Sequence, residues 1–314
     1  MSEPSLRSDS ASKGGYTSAP MATIREIKNR MKAVGNIKRI TRTMQMIATA
    51  KFAAAQTRAT AAKPYTEGVF KLVQELAATA GDIDHPLISG PGMDTSSKPE
   101  LVLILTSDRG LCGPYNGGVL RLAMSHLRSC STPCETELVG KKGVAFLKFQ
   151  DMPASRTHTH FGDNPRREEI EHLAQEYMDR FTAGEFSAVR VVYMRYVSAG
   201  KQTPEIIQLL PLKPPTEAGE GEAANSGPSA LYEFSPEAGE LLAELLPETV
   251  RTTLAQCFSD AIVSEHVARM VAMKSATDAA GKMGKTLTRQ YNRARQAQIT
   301  TELTEIISGA AALE

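Results

Sequence analysis

The apolar residues of the first helical stretch recur at helical spacing. Ile24, Ile27, Met31 and Val34 step by three, four and three, and Ile37, Ile40, Met44 and Ile47 repeat that rhythm. The three-residue step from Val34 to Ile37 reads as a stammer, which would overwind a coiled coil locally. A similar beat closes the chain, where Ile299, Leu303, Ile306, Ala310 and Leu313 step by four, three, four and three. Ala261, Ala268, Ala272, Ala276, Ala279 and Ala280 precede it, small residues that let two helices approach closely. Between these ends the pattern changes. The runs LVLILT, TELVG, AVRVVYMRYV and EIIQLL are β-branched or leucine-rich and bounded by turn residues, so they predict strands. Gly117 to Arg128 and Arg166 to Phe181 predict intervening helices, and strands alternating with helices imply an α/β layer domain.

Punctuation sets the boundaries. Residues 1–20, rich in Ser, Gly and Pro and lacking an apolar core, read as a disordered leader rather than a secretory signal. Residues 21–80 form the first long helix, 81–235 the α/β domain with a Pro/Gly/Glu-rich mobile loop at 211–230, and 236–314 the last long helix. At 1.5 Å per residue each terminal helix would run to roughly 85–100 Å. Neither can bury its apolar stripe on a domain of that size, and the economical partner for each is the other.

Composition sharpens this picture. Apolar residues make up 41% of the 314, enough for a core, whereas aromatics are 5% and Trp is absent, which suits helices better than a β-sandwich. No apolar run approaches the length of a membrane span. The net charge is +1, yet the charge is divided. From Met21 to Lys63, Arg25, Lys28, Arg30, Lys32, Lys38, Arg39, Arg42, Lys51, Arg58 and Lys63 stand against a single acid, Glu26, while residues 216–248 carry Glu and no Lys or Arg. A long basic helix pair suits phosphates, an anionic membrane or acidic protein loops. Aromatics do not alternate with the basic residues, which disfavours single-strand stacking.

At this point the residues resemble a known family. Met21 to Phe52 (MATIREIKNRMKAVGNIKRITRTMQMIATAKF), Ser107 to Asn116 (SDRGLCGPYN), Ser264 to Ala280 (SEHVARMVAMKSATDAA) and Tyr291 to Leu313 (YNRARQAQITTELTEIISGAAAL) are similar, in order and spacing, to the gamma subunit of the rotary F-type ATP synthase. The resemblance implies an antiparallel coiled coil of the N- and C-terminal helices plus a Rossmann-like α/β domain. It implies a central rotor shaft inside a ring of alpha and beta subunits. The foot would rest, with the epsilon subunit, on the membrane c-ring, coupling ion flow to the cycling of catalytic beta sites. It implies no catalytic residues, cofactor or metal in this chain, no nucleic-acid partner, and a peripheral place on the cytoplasmic face of a bacterial inner membrane. Met44 matches a methionine near the beta subunit's acidic loop, and its spacing equally fits a seam residue. Arg295, Gln296, Thr300 and Glu302 match residues making polar contacts with that loop, with Arg39 and Lys38 as further electrostatic candidates.

Other motifs invite chemical readings. SDRGLCG follows a strand as a phosphate loop would, but neither it nor GKKG (Gly140 to Gly143) has Walker spacing, so its glycines read as a tight turn fixed by Asp108 and Arg109. His158 and His160 alternate along a short extended stretch and read as exposed loop histidines. Cys112 and Cys257 read as core residues. Cys130 and Cys134 flank a Ser-Thr-Pro loop and form a candidate redox pair, away from the inserted segment that carries the dithiol of plastid family members. Two other classes compete with the rotor: a basic coiled coil that binds nucleic acid, and a small α/β enzyme with helical extensions.

Overall fold

The computed structural model describes residues 24–80, 85–90, 98–130, 132–212 and 238–313. The leader and nearly all of the 211–230 loop lie outside them. The described elements are α1 (Ile24–Ala80), α2 (Pro86–Ser89), β1 (Glu100–Leu105), α3 (Tyr115–Ser129), β2 (Cys134–Val139), α4 (Lys141–Phe149), β3 (Arg156–His158), α5 (Arg167–Thr182), β4 (Ala188–Ser198), β5 (Lys201–Leu210) and α6 (Ala238–Ala311). As compact units the chain divides inside its two long helices: one unit is Met1–Ile40 with Thr277–Glu314, the other Thr41–Ala276.

The larger unit is built on a five-stranded sheet in the order β3-β2-β1-β4-β5. The first four strands run parallel, and β5 returns antiparallel to β4 through a tight hairpin. The four anticipated strands are all present. Central β1 is buried along its whole length, and its alternation sorts its side chains to two faces. Leu101, Leu103 and Leu105 join a core with Val69, Val73 and Leu76 of α1, the α5 residues Ile170, Leu173, Tyr177 and Phe181, and Leu242 to Ala261 of α6. Val102 and Ile104 join the opposite core with α3 and α4. In α5 the spacing of those four residues, with Ala174 and Met178, makes one apolar face, and Arg166 and Glu169 form a capping box at its start. Pro204 sits in β5, where an edge strand tolerates a missing donor.

The smaller unit is the helix pair itself. Ile27, Val34, Ala280 and Leu287 are buried together, with Met31, Tyr291 and Ala294 packed against them. Lys38 lies beside Gly281, its ammonium 3.8 Å from where a β-carbon would stand. As α1 ascends from Ile27 to Lys38, its contacts on α6 descend from the Leu287–Ala294 stretch to Gly281, which is an antiparallel arrangement.

Candidate functional site

The seam of the helix pair corrects the sequence reading. Within the smaller unit the buried or half-buried positions of α1 are 24, 27, 31 and 34, stepping by three, four and three. The step read as a stammer from Val34 to Ile37 is absent from this buried pattern, because Ile37 is exposed. Ile40 and Ile47 are exposed as well, whereas Thr41, Met44, Gln45 and Ala48 are half-buried or buried. Hydrophobicity alone therefore misassigned the register, because the bulkiest residues face away from the seam. On α6 the smaller unit has 277, 280, 284, 287, 291 and 294 buried or half-buried at steps of three and four, with Gly281 half-buried beside them.

Beyond Ala294 the described side chains of α6 are exposed, including Ile299, Leu303, Ile306, Ile307 and Leu313. The heptad read from the last residues is thus an open apolar stripe rather than a seam. The cluster that α1 forms with α6 ends at Ala294. Arg295, Gln296, Thr300 and Glu302 lie on this exposed stretch. The Thr300 hydroxyl donates to the Gln296 carbonyl at 2.9 Å, and Gln298 Nε2 donates to Glu302 Oε1 at 2.8 Å. Met44 is half-buried, in the larger unit.

The segment after β1 is a joint between backbone elements. Ser107 N–H donates to Asn116 Oδ1 at 3.0 Å, Asn116 Nδ2 donates to Ser107 Oγ at 2.7 Å, and Ser107 Oγ donates to the Arg109 carbonyl at 2.8 Å. Asp108 accepts from the Lys141 backbone N–H at 3.1 Å, at the start of α4, where the helix dipole favours a carboxylate. Arg269 of α6, paired with Glu265, donates to the Arg109 carbonyl at 3.1 Å. Gly113, at φ +57°, lets this turn approach Ala268 and Ala272. The GKKG glycines have a packing role too. A β-carbon on Gly140, at φ +91°, would fall 2.2 Å from the Thr106 carbonyl oxygen, and one on Gly143 would fall 2.6 Å from Thr106 Oγ1. Gly143 N–H instead donates to that hydroxyl at 3.0 Å.

His158 is not an exposed loop residue. It ends β3, is buried, and its Nε2 lies 2.7 Å from Glu137 Oε2. Tyr177 OH donates to the same carboxylate at 2.7 Å and Arg180 Nη1 at 3.0 Å. Burial alone would raise the Glu137 carboxyl, but the hydrogen bonds from His158, Tyr177 and Arg180 outweigh it and hold it below the usual carboxylate range. Burial also pushes Asp260 up to about 6 and His266 down to about 4. Cys112 and Cys257 are buried as expected, whereas Cys130 and Cys134 are half-buried free thiols. Burial pushes the Cys134 thiol up to about 12, aided by the adjoining Cys130 thiol and the Glu100 carboxylate.

No described helix is long and apolar enough to cross a membrane. The described residues define a class of protein with two units, an antiparallel helix pair carrying an open apolar stripe and a parallel-rich α/β unit. The sequence model of a family described as ATP synthase matches residues 23–313. The ATP synthase gamma chain of Rhodopirellula baltica is 41% identical over 94% of this chain and all of its own, and that of Leptospira biflexa is 39% identical over 93% of this chain and all of its own. The chain belongs to the ATP synthase gamma-chain family. Among solved structures, the rotor of the Euglena gracilis mitochondrial ATP synthase has the same fold (TM-score 0.60, 18% identity, 88% of this chain and 98% of that one). So does the central stalk and c-ring of the Tetrahymena thermophila enzyme (TM-score 0.52, 19% identity, 76% of this chain and 99% of that one).

Proposed function

We propose that the chain is the central rotor shaft of an F-type ATP synthase, coupling ion flow through the c-ring to conformational cycling of the catalytic beta subunits. The observation that carries this is the outward placement of Ile37, Ile40, Ile299, Leu303 and Ile306 on helices that bury Ile27, Val34, Ala280 and Leu287 between them. A pair that needed only itself would bury its largest aliphatics. In this reading the exposed stretch of the pair engages alpha and beta subunits, and the α/β unit engages epsilon and the c-ring. Coupling is then a difference in contact energy between rotor angles, so the chain itself is non-catalytic. Arg295 supplies a planar fork for an acidic loop of beta, with Gln296, Thr300 and Glu302 completing the polar contact and Met44 lying against the same subunit. The division of charge supports this role over nucleic-acid binding, because the basic residues lack interleaved aromatics. The complex would sit on the cytoplasmic face of a bacterial inner membrane, in keeping with its bacterial relatives.

Reconstitution with alpha and beta subunits tests the proposal. Adding the chain should raise ATPase activity well above that of alpha and beta alone, and the isolated chain should hydrolyse nothing. Arg295→Ala should weaken the assembly by about 1.5–3 kcal/mol if the guanidinium makes a charge-assisted bond. No stimulation on adding the unaltered chain would reject the rotor reading.

A further inference from the structure

On the α/β unit, at the end of the sheet where β1 and β2 begin, three side chains with metal-binding chemistry converge, Glu100, His126 and Cys130, with the Cys134 thiol beside that of Cys130. The last turn of α3 carries His126, and Cys130 caps that helix, so the two stand four residues apart on one face. Glu100 opens β1 and Cys134 opens β2, and the two are register partners across the parallel ladder. His126 Nε2 lies 3.0 Å from Glu100 Oε1 and 3.3 Å from Cys130 Sγ, and Cys130 Sγ lies 3.7 Å from Glu100 Oε2. One ligand atom from each of Glu100, His126 and Cys130 falls within 4.8 Å of the others. The Cys134 thiol adjoins that of Cys130. Around a tetrahedral zinc ion with ordinary Zn–S, Zn–N and Zn–O bonds, neighbouring ligand atoms are about 3.4–3.8 Å apart. The observed separations of 3.0, 3.3 and 3.7 Å lie in or just below that range.

We propose that Glu100, His126, Cys130 and Cys134 form a structural binding site for a zinc-class divalent ion, fastening the end of α3 to the two central strands. Two sulfurs, one imidazole and one carboxylate suit a borderline-soft tetrahedral ion and are a poor set for magnesium or calcium, which take oxygen. The charge is matched as well. Two thiolates and a carboxylate leave a divalent ion one negative charge in excess, and the Arg190 guanidinium, ion-paired with Glu100, neutralises it. Loading releases the thiol protons, so occupancy rises with pH. The site uses none of the residues proposed to contact beta.

The test uses the full chain, reduced, stripped with a chelator and kept free of oxygen. One equivalent of Co²⁺ should produce a thiolate-to-metal charge-transfer band with the visible absorption of a tetrahedral site, and Zn²⁺ should displace it. Cys130→Ser with Cys134→Ser should abolish the band, and His126→Gln should weaken Zn²⁺ binding by about tenfold or more. A measurement on the unaltered chain guards against variants that misfold: Zn²⁺ should protect Cys130 and Cys134 from alkylation, read residue by residue by mass spectrometry. A missing thiolate band, a band that survives loss of both cysteines, or alkylation unchanged by Zn²⁺ would each overturn the proposal.

Discussion

Replacing Ile37 and Ile40 together by Ser separates what the helix pair does for itself from what it does for its partners. The two side chains are 51% and 59% exposed, so roughly half of each is free to be covered by another subunit. Full burial of an isoleucine side chain is worth about 1.5–3 kcal/mol, so the uncovered halves contribute about 1 kcal/mol each on assembly. The double variant should therefore bind an alpha–beta assembly about 2 kcal/mol more weakly, a roughly thirty-fold rise in Kd. Its chemical denaturation midpoint as an isolated chain should hardly change, because the partly covered halves touch no buried cluster. Val34→Ala is the matched opposite. Val34 is 9% exposed and sits in the seam cluster, so its truncation should cost on the order of 2 kcal/mol of isolated-chain stability. Titration of a fluorescently labelled chain into alpha–beta assemblies measures the first quantity and urea denaturation the second. Unchanged affinity in the Ile37/Ile40 variant, or a stability loss equal to that of Val34→Ala, would refute the assignment of these isoleucines to an external surface.

Gly143→Ala should destabilise the α/β unit by about 2–4 kcal/mol despite the better helix propensity of alanine, because its β-carbon would meet Thr106 Oγ1 at 2.6 Å and Leu138 Cδ2 at 2.8 Å. In a Thr106→Ala background that cost should shrink by at least about 1 kcal/mol, and additive losses in urea denaturation would show that Thr106 is not the obstacle. Asp260→Asn should stabilise the chain in a pH-dependent way. The folded carboxyl, pushed up to about 6 by burial, holds its proton more tightly than the ordinary value of 3.8, so its contribution is full below 3.8 and is lost as pH rises through about 6. With its partial exposure to solvent the charged form costs about 1–2 kcal/mol, so the Asn variant should gain that much near pH 8 and almost nothing near pH 3. A gain that is the same at both ends would contradict the burial argument.

The strands were readable because they are dense in Val, Ile and Leu, and the long helices because little interrupts them. Helix α4 was not foreseen as an element, and β3 only as a possible strand carrying His158 and His160. The nine-residue α4 contains Gly143 and three lysines, and the three-residue β3 is too short to display a period. His158 looked like a surface residue because its environment is supplied by Glu137 on the neighbouring strand and Tyr177 on α5, a meeting that depends on strand register and leaves no local trace. The seam was the subtler case. Its period was legible from Ile24 to Val34 but not beyond, because Ile37 and Ile40 point outward instead of continuing it. The Glu100–His126–Cys130–Cys134 cluster followed the same rule. The sequence offered the cysteine pair, and the parallel ladder brought Glu100 to it.

Thr277, Ala280 and Gly284 stand at successive seam positions of α6, with Lys38 passing over Gly281. Interaxial distance follows the bulk of the residues between two helices, so such an inlay gives the pair a slender calibre. A larger aliphatic at Ala280 would widen that calibre even where it adds apolar contact. Any collar that encloses the pair then selects for smallness at these positions, and a tighter-binding, thicker pair would fail by jamming.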